Sequence, residues 1–327
     1  VPRPIRNNHS PRSTQTGANP MDKTDPLTPA LQRLRSGGLV AFPTETVYGL
    51  GADALDPRSV ARVYEVKGRP AFNPLIVHVA DTPMARAVTA RWPDAADRLV
   101  QRFWPGPLSI VLPKLDSVPD IVTGGGPNVA VRCPDHPLTL ELIRRFGRPL
   151  VGPSANRSGG VSPTTAQHVT EAFTPEEVHV VDGGACEKGI ESTVVSLAGE
   201  RPIVLRPGLI SPDEIGEVLG ESVLCVEQSP CISEGGPAAL DSPGLLSRHY
   251  APSTPTVMLV PAELGGLLAS LASPAIVLAQ HAPVPAPHIR IQMPDSPGDY
   301  AAAMYAALRN ADAARRAMIV VEEPPRG

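Results

Sequence analysis

Residues 1–26 show no hydrophobic period and are rich in Pro, Asn, Ser and Thr, which predicts a disordered tail. After them, short apolar runs alternate with amphipathic ones. Leu39–Phe42, Leu75–Val79, Leu108–Leu112, Asn128–Arg132, Pro149–Gly152, Val178–Val181, Ile190–Val195 and Ile203–Leu205 read as strands. Thr28–Ser36, Asp56–Val66, Pro83–Ala90, Pro93–Trp104, His136–Phe146 and Pro212–Leu219 read as helices, and Ser162–Thr165 caps a further one. Asp56 is the candidate N-cap of the second helix, with Pro57 at its first position. Strands alternating with helices predict an α/β fold with a mixed sheet.

The period fades over 221–255, which is rich in Gly, Pro, Ser and Glu and reads as an interdomain linker. It resumes as strand, helix, strand, strand, helix, strand from Thr256 to Val321. This predicts a small Rossmann-like α/β domain over 256–327, behind a first domain over 27–220. The small domain has no GxGxxG loop, so no dinucleotide site is implied.

Composition narrows the class. The chain has 327 residues, 42% of them hydrophobic and only 4% aromatic, so its core must be built from aliphatic side chains. No apolar run reaches the roughly 18 residues that span a bilayer. Four Cys without CxxC spacing argue against structural zinc and for a reducing cytoplasm. The net charge is −4, with basic and acidic residues balanced in the first domain, so no large nucleic-acid face is visible. The first Met is Met21, which suggests that the residues before it are an upstream extension.

Polar residues gather where strands end: Thr44, Glu45, Thr46, Tyr48, Lys67, Arg69, Asn73, His78, Arg132, Ser154, Asn156, Ser192, Arg206 and Tyr250. Open α/β sheets place their ligands at such ends. Gly49 and Gly51 are read as a bend that lets the backbone approach a ligand. Lys67 is one of only four lysines among 29 basic residues and stands two positions before Arg69. A point charge beside a planar guanidinium suits a polyphosphate. Each residue has a plainer reading too. Lys67 and Arg69 suit a solvated helix C-terminus. His78 suits a core position, Ser154 and Asn156 suit a capping turn, and Tyr48 suits the core. Cys133 is read as a buried small residue rather than a nucleophile. No Walker A loop, HExxH or nucleophile elbow occurs.

Seven segments, FPTETVYGLG, KGRPAFNPLIVH, PGPLSIVL, VAVRCPDHP, GPSANRSGG, IESTVV and LRPG, resemble in order and spacing the YrdC-type domain of the threonylcarbamoyl-AMP synthase family. SPGLLSRHYAP in the linker and the small domain behind it resemble the two-domain form, so the likeness covers about residues 28–327. The resemblance implies a YrdC-like twisted open mixed sheet around a large cavity. It implies synthesis of threonylcarbamoyl-AMP and pyrophosphate from L-threonine, bicarbonate and ATP, with Mg2+ accompanying ATP. The product would pass to the machinery that makes N6-threonylcarbamoyladenosine in tRNA, with weak tRNA contact and no membrane.

Carried across by position, Thr46, His78, Arg132, Ser154 and Ser192 would hold threonine. Arg69, Asn73, Asn128, Asn156, Arg206 and Tyr250 would hold ATP, with Ser162 or Thr164. Lys67 matches the family's essential lysine, and Lys67 and Arg69 are the expected catalytic pair, neutralising the charge that grows on the phosphates. Asn128 departs from the pattern, which has a hydroxyl residue there. The family usually continues into another helix beyond the final Gly327, so the small domain is expected to be shorter here. Two other readings compete. Related domains move carbamoyl groups, but with acylphosphatase and zinc-finger segments that are not visible here. An RNA-binding module would want an aromatic–basic pattern that is also missing. Tyr250 in the linker suggests a lid that folds back over the cavity.

Overall fold

A computed structural model of the chain describes residues 25–226 and 251–325. The tail before Asp25 and most of the linker, with Tyr250 and the expected lid, lie outside the described residues. The first domain carries strands β1 (Leu39–Phe42), β2 (Gly49–Asp53), β3 (Ile76–His78), β4 (Leu108–Pro113), β5 (Asn128–Arg132), β6 (Leu150–Val151), β7 (Val178–Val180), β8 (Thr193–Ser196), β9 (Ile203–Arg206) and β10 (Leu224–Cys225). Its helices are α1 (Leu27–Arg35), α2 (Pro57–Lys67), α3 (Thr82–Arg86), α4 (Asp94–Phe103), α5 (Pro137–Phe146), α6 (Ala166–Thr170) and α7 (Pro212–Leu219). The second domain adds β11 (Thr256–Leu259), α8 (Pro261–Ser270), β12 (Ile276–Ala279), β13 (Ile289–Gln292), α9 (Pro297–Ala313) and β14 (Ile319–Glu322).

The ten strands of the first domain form one mixed sheet in the order β10-β9-β8-β4-β5-β3-β6-β2-β1-β7. The sheet stays open. The four strands of the second domain are all parallel, in the order β11-β14-β12-β13. Central β12 and β14 are buried throughout, as parallel strands covered on both faces must be. No described helix is long and apolar enough to cross a membrane.

Helix α2 shows how local chemistry sets an element. The Asp56 carboxylate accepts from the backbone N–H groups of Arg58 and Ser59, and Pro57 occupies the first turn. Gly68 ends the helix at φ 62°, a left-handed conformation that favours glycine. This turn carries the chain from Lys67 to Arg69, whose side chain reaches Asn73 and Pro74 ahead of β3.

Two expectations need correction. Gly49 and Gly51 do not bend the chain toward a ligand. They lie in β2, which pairs antiparallel with β1. A Cβ on either would lie 2.8 or 2.7 Å from the Phe42 ring, so the glycines make room for that ring. The first sheet also runs past Gly220, because β10 pairs with β9 in what reads as linker sequence.

Candidate active site

The two-residue period of the central strands sorts the side chains between two faces. Val77, Val131, Ile110 and Val195 point into the main core. Ile76, Ala130, Val111 and Val194 point the other way and form a small apolar floor. His78 of β3 and Arg132 of β5 continue that second face, side by side in the parallel register. A cavity sits on it, lined by Thr46, Arg69, His78, Arg132, Ser154, Glu191, Ser192 and Arg206 among others.

Arg132 is held from three sides. It donates to Glu45 Oε1 at 2.7 Å, to Thr46 Oγ1 at 2.9 Å and to the Gly106 carbonyl at 3.2 Å. Glu45 also accepts the Asp135 N–H at 3.0 Å. The sequence reading gave Glu45 no role, yet it forms the buried ion pair that aims Arg132. Ser109, also unassigned, shares a 2.9 Å hydrogen bond with Ser192. Its signal was its place on the cavity face of β4, two residues before Val111.

His78 is buried, edge-on to the Phe42 ring, and its Nδ1 has no protein partner. Burial and the neighbouring Arg132 charge push its pKa down to about 3. The imidazole is therefore neutral in the folded protein across the physiological range. The unfolded chain takes up a proton on His78 below about pH 6.5 while the folded one does not. Stability should therefore fall as pH drops from about 6.5 toward 3, with a slope of up to about 1.4 kcal/mol per pH unit. Thermal melts from pH 7 to pH 5 should be flatter for His78→Gln than for the wild type. Parallel curves would rule this source out.

On the other side of the cavity, Arg206 donates to the Ser192 carbonyl at 2.9 Å and to its hydroxyl at 3.1 Å. Arg69 donates to Asn73 Oδ1 at 2.6 Å and to the Pro74 carbonyl at 2.8 Å. Asn73 and Asn156 each keep one buried polar atom without a partner. Asn156 Nδ2 closes the Gly152–Gly160 loop through the Arg157 and Gly160 carbonyls, both at 2.7 Å. Ser162 Oγ donates to Glu191 Oε1 at 2.6 Å. Thr164 contacts His168 through its N–H at 3.2 Å, and Asn128 opens β5. Asn73, Asn156, Ser162, Thr164 and Asn128 all stand outside the lining of the cavity.

Lys67 sits beneath the loop rather than in the cavity. Its ammonium donates to the carbonyls of Ser154 and Asn156, both at 2.5 Å. Burial holds its pKa well below the usual ammonium value, with repulsion from Arg69 and Arg157 adding to it. Cys133 is buried and its thiol is pushed up to about 12, which leaves it unreactive. Tyr48 is a core residue whose hydroxyl donates to the Gly184 carbonyl at 2.7 Å.

The expected large cavity is small here. Its volume is ≈ 40 Å³, and Arg69, Arg132 and Arg206 in its lining donate to the backbone carbonyls of Pro74, Gly106 and Ser192. An open groove of ≈ 680 Å³ adjoins the loop, lined by Asn156–Val161 and by Arg309 of α9.

Residues 32–208 match a family described as "Telomere recombination", which unites Sua5, YciO and YrdC proteins. Residues 210–327 match "Threonylcarbamoyl-AMP synthase, C-terminal domain". The threonylcarbamoyl-AMP synthase of Pyrococcus abyssi is 46% identical over 69% of this chain and 65% of its own length. That of Bacillus subtilis is 45% identical over 72% of this chain and 67% of its own length. The sequence match thus spans about two thirds of these relatives. The crystal structure of P. abyssi Sua5 complexed with L-threonine superposes with a TM-score of 0.85 at 38% identity, covering 91% of this chain and 89% of that one.

Proposed function

We propose that this chain, which belongs to the threonylcarbamoyl-AMP synthase family in its two-domain form, makes threonylcarbamoyl-AMP and pyrophosphate from L-threonine, bicarbonate and ATP. As an enzyme that forms an adenylate it acts as a nucleotidyltransferase. The observation that carries this reading is the meeting of Arg69, Arg132 and Arg206 with His78, Ser154 and Ser192 in one cavity. Three guanidiniums suit a carboxylate and a polyphosphate held close together.

The neutral amine of threonine adds to the carbon of bicarbonate, a C–N bond forms as the C–OH bond breaks, and the hydroxide leaves as water with a proton from the amine. A carbamate oxygen then attacks the α-phosphorus as the bond to the β-phosphate oxygen breaks. Arg132, aimed by Glu45, would hold the threonine carboxylate. Thr46, His78, Ser154 and Ser192 would hold its other polar groups. A neutral His78 accepts or donates a hydrogen bond there without adding charge. Thr164 and Asn128 stand away from the cavity, while Arg69 and Arg206, with Asn73, Asn156 and Ser162 beside it, would hold ATP. They would meet the charge that grows on the phosphates, and Lys67 would hold the loop in place.

The donors present fit a metal carried in by the nucleotide. Among the described residues Glu191 is the one carboxylate lining the cavity, and both its oxygens accept hydrogen bonds. Magnesium bound with ATP would supply charge neutralisation on the phosphates. The labile mixed anhydride would be handed to a tRNA-modifying partner in the cytoplasm.

Pyrophosphate release should require threonine, bicarbonate and ATP together, and release that ignores any one of them would overturn the reading. Threonine should be preferred over serine. One methyl group in a fitted pocket contributes about 1–3 kcal/mol, or roughly 10- to 200-fold in kcat/KM. Serine should therefore react slowly rather than not at all, and equal kcat/KM for the two would contradict the assignment.

A further inference from the structure

The C-terminal domain reaches the edge of the cavity through α9. Val47 and Val161 of the first domain join Tyr300, Tyr305 and Leu308 in one buried cluster. The backbones touch as well, since a Cβ on Gly189 would lie 2.5 Å from the Ala302 carbonyl oxygen. Inside this apolar seam lies a polar pin. The Tyr305 hydroxyl donates to Glu191 Oε2, and Ser162 Oγ donates to Glu191 Oε1 at 2.6 Å. One turn further along the same helix face, Arg309 donates to the Val161 carbonyl at 2.7 Å and to the Ser162 carbonyl at 3.3 Å.

The pin has an electrostatic consequence. Glu191 lines the same cavity as Arg69 and Arg206. A carboxylate loose in a site for polyphosphate would repel the ligand and compete for the guanidiniums. Hydroxyls on both of its oxygens fix its position. One of those hydroxyls belongs to the other domain, which a simple tether would not need.

Resting on the synthase reading, we propose that Tyr305 and Arg309 are positioning residues for ATP: they fix Glu191 and the Val161–Ser162 loop so that the carboxylate is kept off the phosphates. The C-terminal domain is on this view a structural part of the nucleotide site, while the threonine side is complete within the first domain.

The full chain tests this. Tyr305→Phe removes one hydroxyl and keeps the ring in its cluster. It should raise KM for ATP about tenfold, the scale of a hydrogen bond to a charged group, and leave KM for threonine within about twofold. Adding Glu191→Gln to Tyr305→Phe should restore most of the ATP affinity, because the repelling charge is gone. An unchanged KM for ATP, a parallel rise in both KM values, or no recovery on adding Glu191→Gln would each overturn the proposal. Should Tyr305→Phe be too unstable to assay, Arg309→Met is read by the same selective loss for ATP. Calorimetric ATP binding on the same proteins separates this idea from the synthase reading. ATP binding without synthesis by the wild type would sink the latter, and the variants' dissociation constants would still decide the former.

Discussion

Lys67→Ala should slow pyrophosphate release by on the order of 10²-fold, the scale of a small misplacement of groups that position the reactants, and still yield a folded protein. Lys67 is the last residue of α2, two positions before Arg69. The fold sets its ammonium under the Gly152–Gly160 loop, on the carbonyls of Ser154 and Asn156. The return contact is the Ser158 N–H, which donates to the Lys67 carbonyl at 2.8 Å. Alanine would leave the Asn156 carbonyl without its donor, at about 1–3 kcal/mol before water enters, and the Ser154 carbonyl with only the Asn156 N–H at 3.0 Å. Ser154, which lines the cavity, and Asn156, which closes the loop, would both drift. Lys67→Arg should not restore the rate, because a planar fork cannot replace a compact ammonium between two converging carbonyls. Pyrophosphate assays beside circular-dichroism melts check this. Near-normal turnover in a folded Lys67→Ala protein would refute the role.

The largest loss of stability is expected for Glu45→Ala. Glu45 and Arg132 form an ion pair at 2.7 Å with side chains only 4% and 5% exposed. Removing one member of such a pair strands the other charge in a medium that solvates it poorly, at about 3–5 kcal/mol. The Asp135 N–H loses its acceptor as well. Arg132 keeps Thr46 and the Gly106 carbonyl but loses the group that neutralises it. Urea denaturation should show a clearly lower midpoint with an unchanged slope, and KM for threonine should rise. An unaltered midpoint would mean that Glu45 does not carry this load.

The reach of the sequence can be judged from single elements. Asp56-Pro57 marked the start of α2 because capping chemistry is local, and the structure has that cap. The strands around His78 and Arg132 were legible from their apolar runs. Gly49 and Gly51 misled because a glycine that makes way for a ring is written like one that makes a bend. Only the position of Phe42, across the β1–β2 pair, separates the two. Glu191, Tyr305 and Arg309 could not be connected, since Glu191 and Tyr305 stand 114 positions apart and meet only once α9 docks. The small size of the cavity was also illegible. It depends on which carbonyls the arginine side chains reach, and sequence spacing carries no such information.

The synthase reading turns on one carbon atom. The full chain should be incubated with L-threonine, ATP, magnesium and bicarbonate carrying a heavy carbon isotope, and the products read by mass spectrometry. Threonylcarbamoyl-AMP bearing a single heavy carbon, formed in step with pyrophosphate, is the expected result. Pyrophosphate accompanied by an unlabelled threonine adenylate, or no pyrophosphate from a folded protein, would contradict it.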